Sequence, residues 1–213
     1  MLCLIGTIFV LLQPIRPWLR LSTRWKVCGR SFPPTKTRKR ENNKRPMETI
    51  KNQKFGGERP LFGVHDVRLE DIEIVDGESG IKCCKQVECH NSKFYGKHPW
   101  WHVDGSPITN CYFAPGSRSA IWYSDDMVMR DCVIDGPKFF REMKNVTLEN
   151  VKITDADETF WRIDGLKIKN LELHQGTYPF MFSKNIYVDG LVSDAKYVFQ
   201  YCQNVEIHHA KIT

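Results

Sequence analysis

Three tryptophans and an arginine recur at matched spacing. Trp101, Trp122, Arg141 and Trp161 follow one another at intervals of 21, 19 and 20 residues. The residue after each is His102, Tyr123, Glu142 and Arg162 in turn. Aromatic planes beside hydrogen-bonding groups suit sugar rings and their hydroxyls. Trp101, His102, Trp122, Tyr123, Arg141, Trp161 and Arg162 are therefore the candidate ligand-binding residues, and an oligo- or polysaccharide is the partner they imply. The arginines favour sugars that carry a carboxylate. The competing reading is that protein covers this face: a loop, an arm or a second subunit. That makes a non-catalytic scaffold, self-associating or protein-binding, the alternative function class. The residues leave open whether any reaction is catalysed.

Two acids are a weaker candidate pair. Asp135 and Asp155 each follow an apolar segment, with Asp157 and Glu158 close behind the second. On neighbouring coils of a solenoid they could form an acid/base pair or a calcium site; solvated turn acids are the plainer reading. Gln175 stands at the next step, so the acids do not continue. His208 and His209 are adjacent, and neighbours on a strand point to opposite faces, so they do not share a metal. The eight cysteines show no paired CxxC at zinc spacing and read as small apolar residues. There is no GxSxG, phosphate loop or dinucleotide fingerprint. No metal and no cofactor is expected.

What could hold such residues at twenty-residue intervals is a repeat. From Val67 onward the chain divides into eight short units: VRLEDIEI, VECHNSKF, PITNCYF, VMRDCVI, VTLENVKI, LKIKNLEL, IYVDGLVS and VEIHHAKI. A polar or turn-permissive residue anchors each: Asp71, Asn91, Asn110, Asp131, Asn150, Asn170, Gly190 and His209, spaced 19 to 21 apart. The units are too short for helices and rich in β-branched residues. Each Asn or Asp marks a bend between two strands. Ten residues before the anchors lie Ile81, Trp100, Ile121, Phe140, Phe160, Phe180 and Phe199, read as inward-pointing. The residues one place on, among them Trp101, Trp122, Arg141 and Trp161, then point outward. Turn pairs such as Asp104-Gly105, Asp164-Gly165 and Lys184-Asn185 close the coil.

Strand, bend, strand, turn and strand in twenty residues make one loop of a solenoid. The expected fold is all-β, a parallel β-helix with coils of about twenty residues, right-handed as parallel crossovers are. Stacked coils place Asn91 beside Asn110 and Asn150 beside Asn170, which predicts ladders of side-chain amides. The same stacking puts Cys111 and Cys132 inside.

Charge separates an arm from this body. Residues 1–46 hold eleven Lys and Arg against one acid, Glu41, while residues 47–213 hold 20 basic and 24 acidic groups. The total of +6 therefore does not describe the body, and no nucleic-acid partner is expected. The opening MLCLIGTIFVLLQP is shorter than the roughly twenty apolar residues a membrane span needs. It also lacks the flanking pattern of a secretory signal, though a poor signal anchor is an alternative. No membrane partner is expected, and the location read from this is cytoplasmic. Residues 1–46 read as a disordered basic arm or as upstream sequence translated from a wrong start, and residues 47–213 as the β-helix domain.

The segments GERPLF, GESGIK, GKHPWWHVDGSPITNCYF, IWYSDDMVMRDCVI, GPKFFREMKNVTLENVKITDADETFW and NVEIHHAKI resemble an uncharacterised bacterial family of unknown function within the pectin-lyase-like right-handed β-helices. The resemblance covers roughly residues 50–213. It implies the solenoid fold and no established activity, so it assigns no catalytic residue. Members of such a family continue for further coils, which implies that this chain is truncated at its C-terminus.

Overall fold

The interior coils bury side chains at six repeating positions, and the sequence spaces them for it. Counted from the anchor Asn170, the inward residues are Phe160, Ile163, Leu166, Ile168, Leu171 and Leu173, all buried. The coil before it repeats the set as Phe140, Met143, Val146, Leu148, Val151 and Ile153. Alternation along a strand explains the two-residue steps. The three-residue steps mark corners, where one extra residue turns the chain.

The structure is a computed structural model that describes residues 46–213. The expectations for the basic arm fall on residues 1–45 and lie outside the described residues. Among the described residues every regular element is a β-strand, and every strand pairing is parallel. The longest strands, Arg141–Ile153 and Trp161–Leu173, pair in register with Met143 beside Ile163 and Ile153 beside Leu173. Lys184–Ser193 and Gln203–Ile212 extend the stack in the same way. This is a parallel β-solenoid with coils of about twenty residues, as the repeat predicts.

The corners follow residue chemistry. Asp71, Asn91, Asn110, Asp131, Asn150 and Asn170 all sit at φ between 51° and 56°, in the left-handed region, and Gly190 takes φ 85° in the same column. Asn, Asp and Gly reach that region at least cost. A second left-handed column lies five residues earlier and includes Gly105, Asp126, Asn145, Gly165, Asn185 and Asn204. Asn52, at φ 55°, extends the anchor column one coil further back. There Glu48–Lys51 pairs with the strand containing Val67.

Ring stacks fill the interior. Phe140 to Phe160 and Phe160 to Phe180 stack with centroids 4.9 and 4.8 Å apart, and all three side chains are fully buried. The coil spacing of parallel strands, about 4.8 Å, is what sets that distance. Cys111 and Cys132 lie inside as expected and form no disulfide. The contact with Cys111 and burial push the Cys132 thiol up, so it stays protonated.

Candidate functional site

Two outward faces carry the candidate chemistry, an aromatic column and an amide ladder. On the first, parallel bridges join Trp101 to Trp122 and Trp122 to Arg141, and Arg141 pairs with Trp161. These residues form the single outward column that their spacing implies, and all are partly buried. Their neighbours His102, Tyr123 and Arg162 form a more exposed column beside them.

The rings of this column are occupied by one another. Trp101 stacks on Trp122 with centroids 5.3 Å apart and planes 16° from parallel. The Arg141 guanidinium lies 4.6 Å from the Trp122 ring and 4.9 Å from Trp161, between the two. Lys82 stands over Trp101 at 5.2 Å. The Trp101 and Trp122 indole N–H groups donate to the carbonyls of Ser119 and Lys138, at 2.9 and 2.8 Å. His102 stacks on Tyr123 at 4.9 Å, and Arg162 bonds Glu142 at 3.0 Å. Arg141 donates to Glu158 at 2.9 Å, while its buried Nε has no partner.

The expected strip for sugar rings is built from side chains that stack on one another. Its members stack along the solenoid axis, so each Trp122 face is already covered, by Trp101 on one side and Arg141 on the other. Trp122 therefore offers no free face, and a stacked sugar needs one.

The two acids of the candidate pair lie on neighbouring coils, one position out of register. Ile134 pairs with Ile153, so Asp135 stands beside Thr154 and Asp155 is one position out of register. The Asp135 carboxylate accepts hydrogen bonds from Tyr112 and Thr154, both at 2.8 Å. That bond holds the Tyr112 hydroxyl above its usual range. Asp155 accepts from the Asp157 backbone N–H at 3.2 Å and closes its own turn. Among the described residues no group of three or more potential metal ligands clusters.

The amide ladder differs from the column in keeping part of its chemistry open. Asn110 donates to Asn91 at 2.8 Å, Asn150 to Asp131 at 2.9 Å, and Asn170 to Asn150 at 2.9 Å. All five residues are exposed. The other corner carries shorter runs: Asn145 donates to Asp126, Asn185 to Asp164 and Asn204 to Asn185. Each amide has two donor hydrogens and two acceptor lone pairs. Asn150, in the middle, uses one donor and one lone pair on its neighbours and keeps one of each.

Beside the first ladder the surface is concave. A groove of about 420 Å³ runs along Asp131, Asn150, Asn170, Gly190 and His209. Another of about 340 Å³ runs along Asn91, Asn110 and Asp131. They share Asp131 and Val133 and so form one track, seven coils long and about 30 Å from end to end. Its wall is the column two residues after the anchors: Lys93, Tyr112, Val133, Lys152, Glu172 and Val192. At its far end His209 bonds Asp189 and holds that carboxyl below its usual range.

The repeat predicts the ladder, but it does not mark the wall. A signal was present, since an outward column beside a run of exposed amides is a lined track. The wall residues share no type, and a search for like residues passes over them.

Parallel strands stacked in coils of about twenty residues, with amide ladders at the corners, define an all-β solenoid protein. A family of proteins of unknown function, DUF3737, matches residues 48–213, and the chain belongs to it. No curated protein matches the sequence.

Proposed function

We propose that this protein is a non-catalytic carbohydrate-binding solenoid that holds a linear glycan along the ladder groove. The observation that carries this reading is the repeat of open amide donors and acceptors at the coil spacing of about 4.8 Å. A hydroxyl both donates and accepts, and a glycan presents hydroxyls at every unit. An extended pyranose chain advances by about one coil spacing per unit. An extended peptide rises only about 3.3 Å per residue and would fall out of step within a few coils. Tyr112 and Val133 give the wall partly apolar surface for ring edges.

Hydrolysis is not supported by the spacing of the acids in the groove. Asp131 and Glu172 are its carboxylates, and they lie two coils apart in different columns. That is about 10 Å or more, beyond the roughly 5–9.5 Å across which two carboxylates cooperate on a glycosidic bond. Glu172 is moreover paired with Lys152 at 3.0 Å, which holds its carboxyl below the usual range.

The scaffold reading draws on a different observation. Phe182 and Tyr201 stack on the outer face with 43% and 71% of their surface exposed, and exposed rings of this kind serve protein contacts. A glycan array probed with the full chain separates the two. Binding to linear oligosaccharides that is lost in an Asn150→Gly/Asn170→Gly variant supports the groove. Absence of glycan binding together with a dimeric or larger mass in solution supports the scaffold.

A further inference from the structure

Resting on the groove reading above, we infer that the ligand is a neutral glycan rather than a uronic-acid polymer. The charges lining the track decide this. They are Lys93, Asp131, Lys152 and Glu172, two of each sign, with His209 at the far end. Lys152 and Glu172 neutralise each other at 3.0 Å. Lys93 and Asp131 form no ion pair with other described residues.

A polyuronate carries one carboxylate per unit and, in register with the coils, would need a cation at nearly every one. Over seven coils the groove offers one unpaired lysine. Two coils further on, the unpaired carboxylate of Asp131 would face the anion directly and repel it. The side chains in the adjoining outward column do not change the balance. Arg130 and Lys169 both bond Glu149, at 3.3 and 3.2 Å, and Asp189 holds His209. The floor also holds the amides of Asn91, Asn110, Asn150 and Asn170, which answer hydroxyls and carry no charge. The arginines of the aromatic column do not reach this track: Arg141 is held by Glu158 and Arg162 by Glu142.

The test compares neutral and anionic probes on the full chain at physiological salt. Linear neutral polysaccharides, a glucan and a mannan, are set against polygalacturonate and alginate, by calorimetry or affinity electrophoresis. The best neutral probe is expected to bind at least tenfold more tightly than either anionic one. Asp131→Asn keeps the corner residue type and the ladder acceptor while removing the charge, and should narrow that ratio severalfold. Stronger binding of polygalacturonate or alginate, abolished by Asn150→Gly/Asn170→Gly, overturns the neutral class and leaves the groove standing. A ratio unmoved by Asp131→Asn shows that charge does not set the preference. Failure of both probe classes to bind, or binding indifferent to the ladder variant, overturns the groove reading and this inference with it.

Discussion

The aromatic column and the amide ladder arise from the same device, one residue type repeated at one position of successive coils, yet they end with opposite capacities. In the column Trp101, Trp122 and Arg141 turn their faces to one another, so stacking consumes surface a ligand would use. In the ladder each amide gives one donor and one acceptor to its neighbours and retains the others. A solenoid therefore closes its planar aromatic groups and leaves its polyvalent polar groups partly open. The most conspicuous residues of this chain, the tryptophans, serve its cohesion, while the plainer asparagines face the groove.

The largest expected effects test the cohesive side of this contrast. Phe160→Ala, in the interior stack, should cost about 3–5 kcal/mol in denaturant unfolding, as large core truncations do. Trp122→Ala should cost about 2–4 kcal/mol, less because the ring is half-buried, although it also unstacks Trp101 and Arg141. A loss below about 0.5 kcal/mol at Trp122 would mean that the column is not structural, and the contrast would break.

The ladder should respond more mildly, and in a way that depends on the backbone. Asn150→Ala keeps a β-carbon in the left-handed region but loses the amide whose local hydrogen bonding offsets that strain, and should cost about 1–2 kcal/mol. Asn150→Gly keeps that backbone at ease and loses only exposed hydrogen bonds, so it should cost less than the alanine variant. Gly190 already occupies this column, with φ 85°. Equal losses for the two variants would mean that the amide, and not the corner, carries the ladder's stability.

The smallest effect is with pH, and it belongs to the charged flanks alone. Lys51 holds Glu70 below its usual range, Lys152 holds Glu172, and His209 holds Asp189. The Gln175 backbone N–H and then His174 do the same for Asp194. Carboxyls depressed in the folded state stabilise it above their unfolded value, near pH 4, and that contribution is lost as pH falls through the folded values. The melting temperature should decline below about pH 4, modestly because these groups are exposed. A melting temperature that holds or rises between about pH 4 and 2 would contradict the assigned pairs.

The fold was legible because anchor and core obey a register that residue type reveals. Asn and Asp favour left-handed corners, and aliphatic residues mark the inward columns. The first coil escaped because its unit, Thr49–Phe55, offers only Ile50 and Phe55 as apolar markers, although Asn52 stands nineteen residues before Asp71. Phe140, Phe160 and Phe180 also adopt left-handed backbone, at φ 58° to 67°, which nothing in a phenylalanine announces; the register imposes it at the corner. The site was legible only in part. Spacing assigns a residue to a column, but it does not give the side-chain torsion that turns a ring face along the axis or outward. The offset of the two acids has a simpler reason. Asp135 lies four residues after its anchor and Asp155 five, and one residue changes the face.

The central claim is that the ladder groove, and not the tryptophan column, is the binding surface. The direct test measures glycan affinity for the full chain, for Asn150→Gly/Asn170→Gly and for Trp122→Phe, with circular dichroism confirming the fold of each. Trp122→Phe keeps a ring in the stack and loses the indole N–H bond to Lys138. The account predicts at least a tenfold loss of affinity in the ladder variant and an affinity within twofold of the parent in Trp122→Phe. Loss of binding in Trp122→Phe with the ladder variant unaffected would contradict it and return the site to the aromatic column.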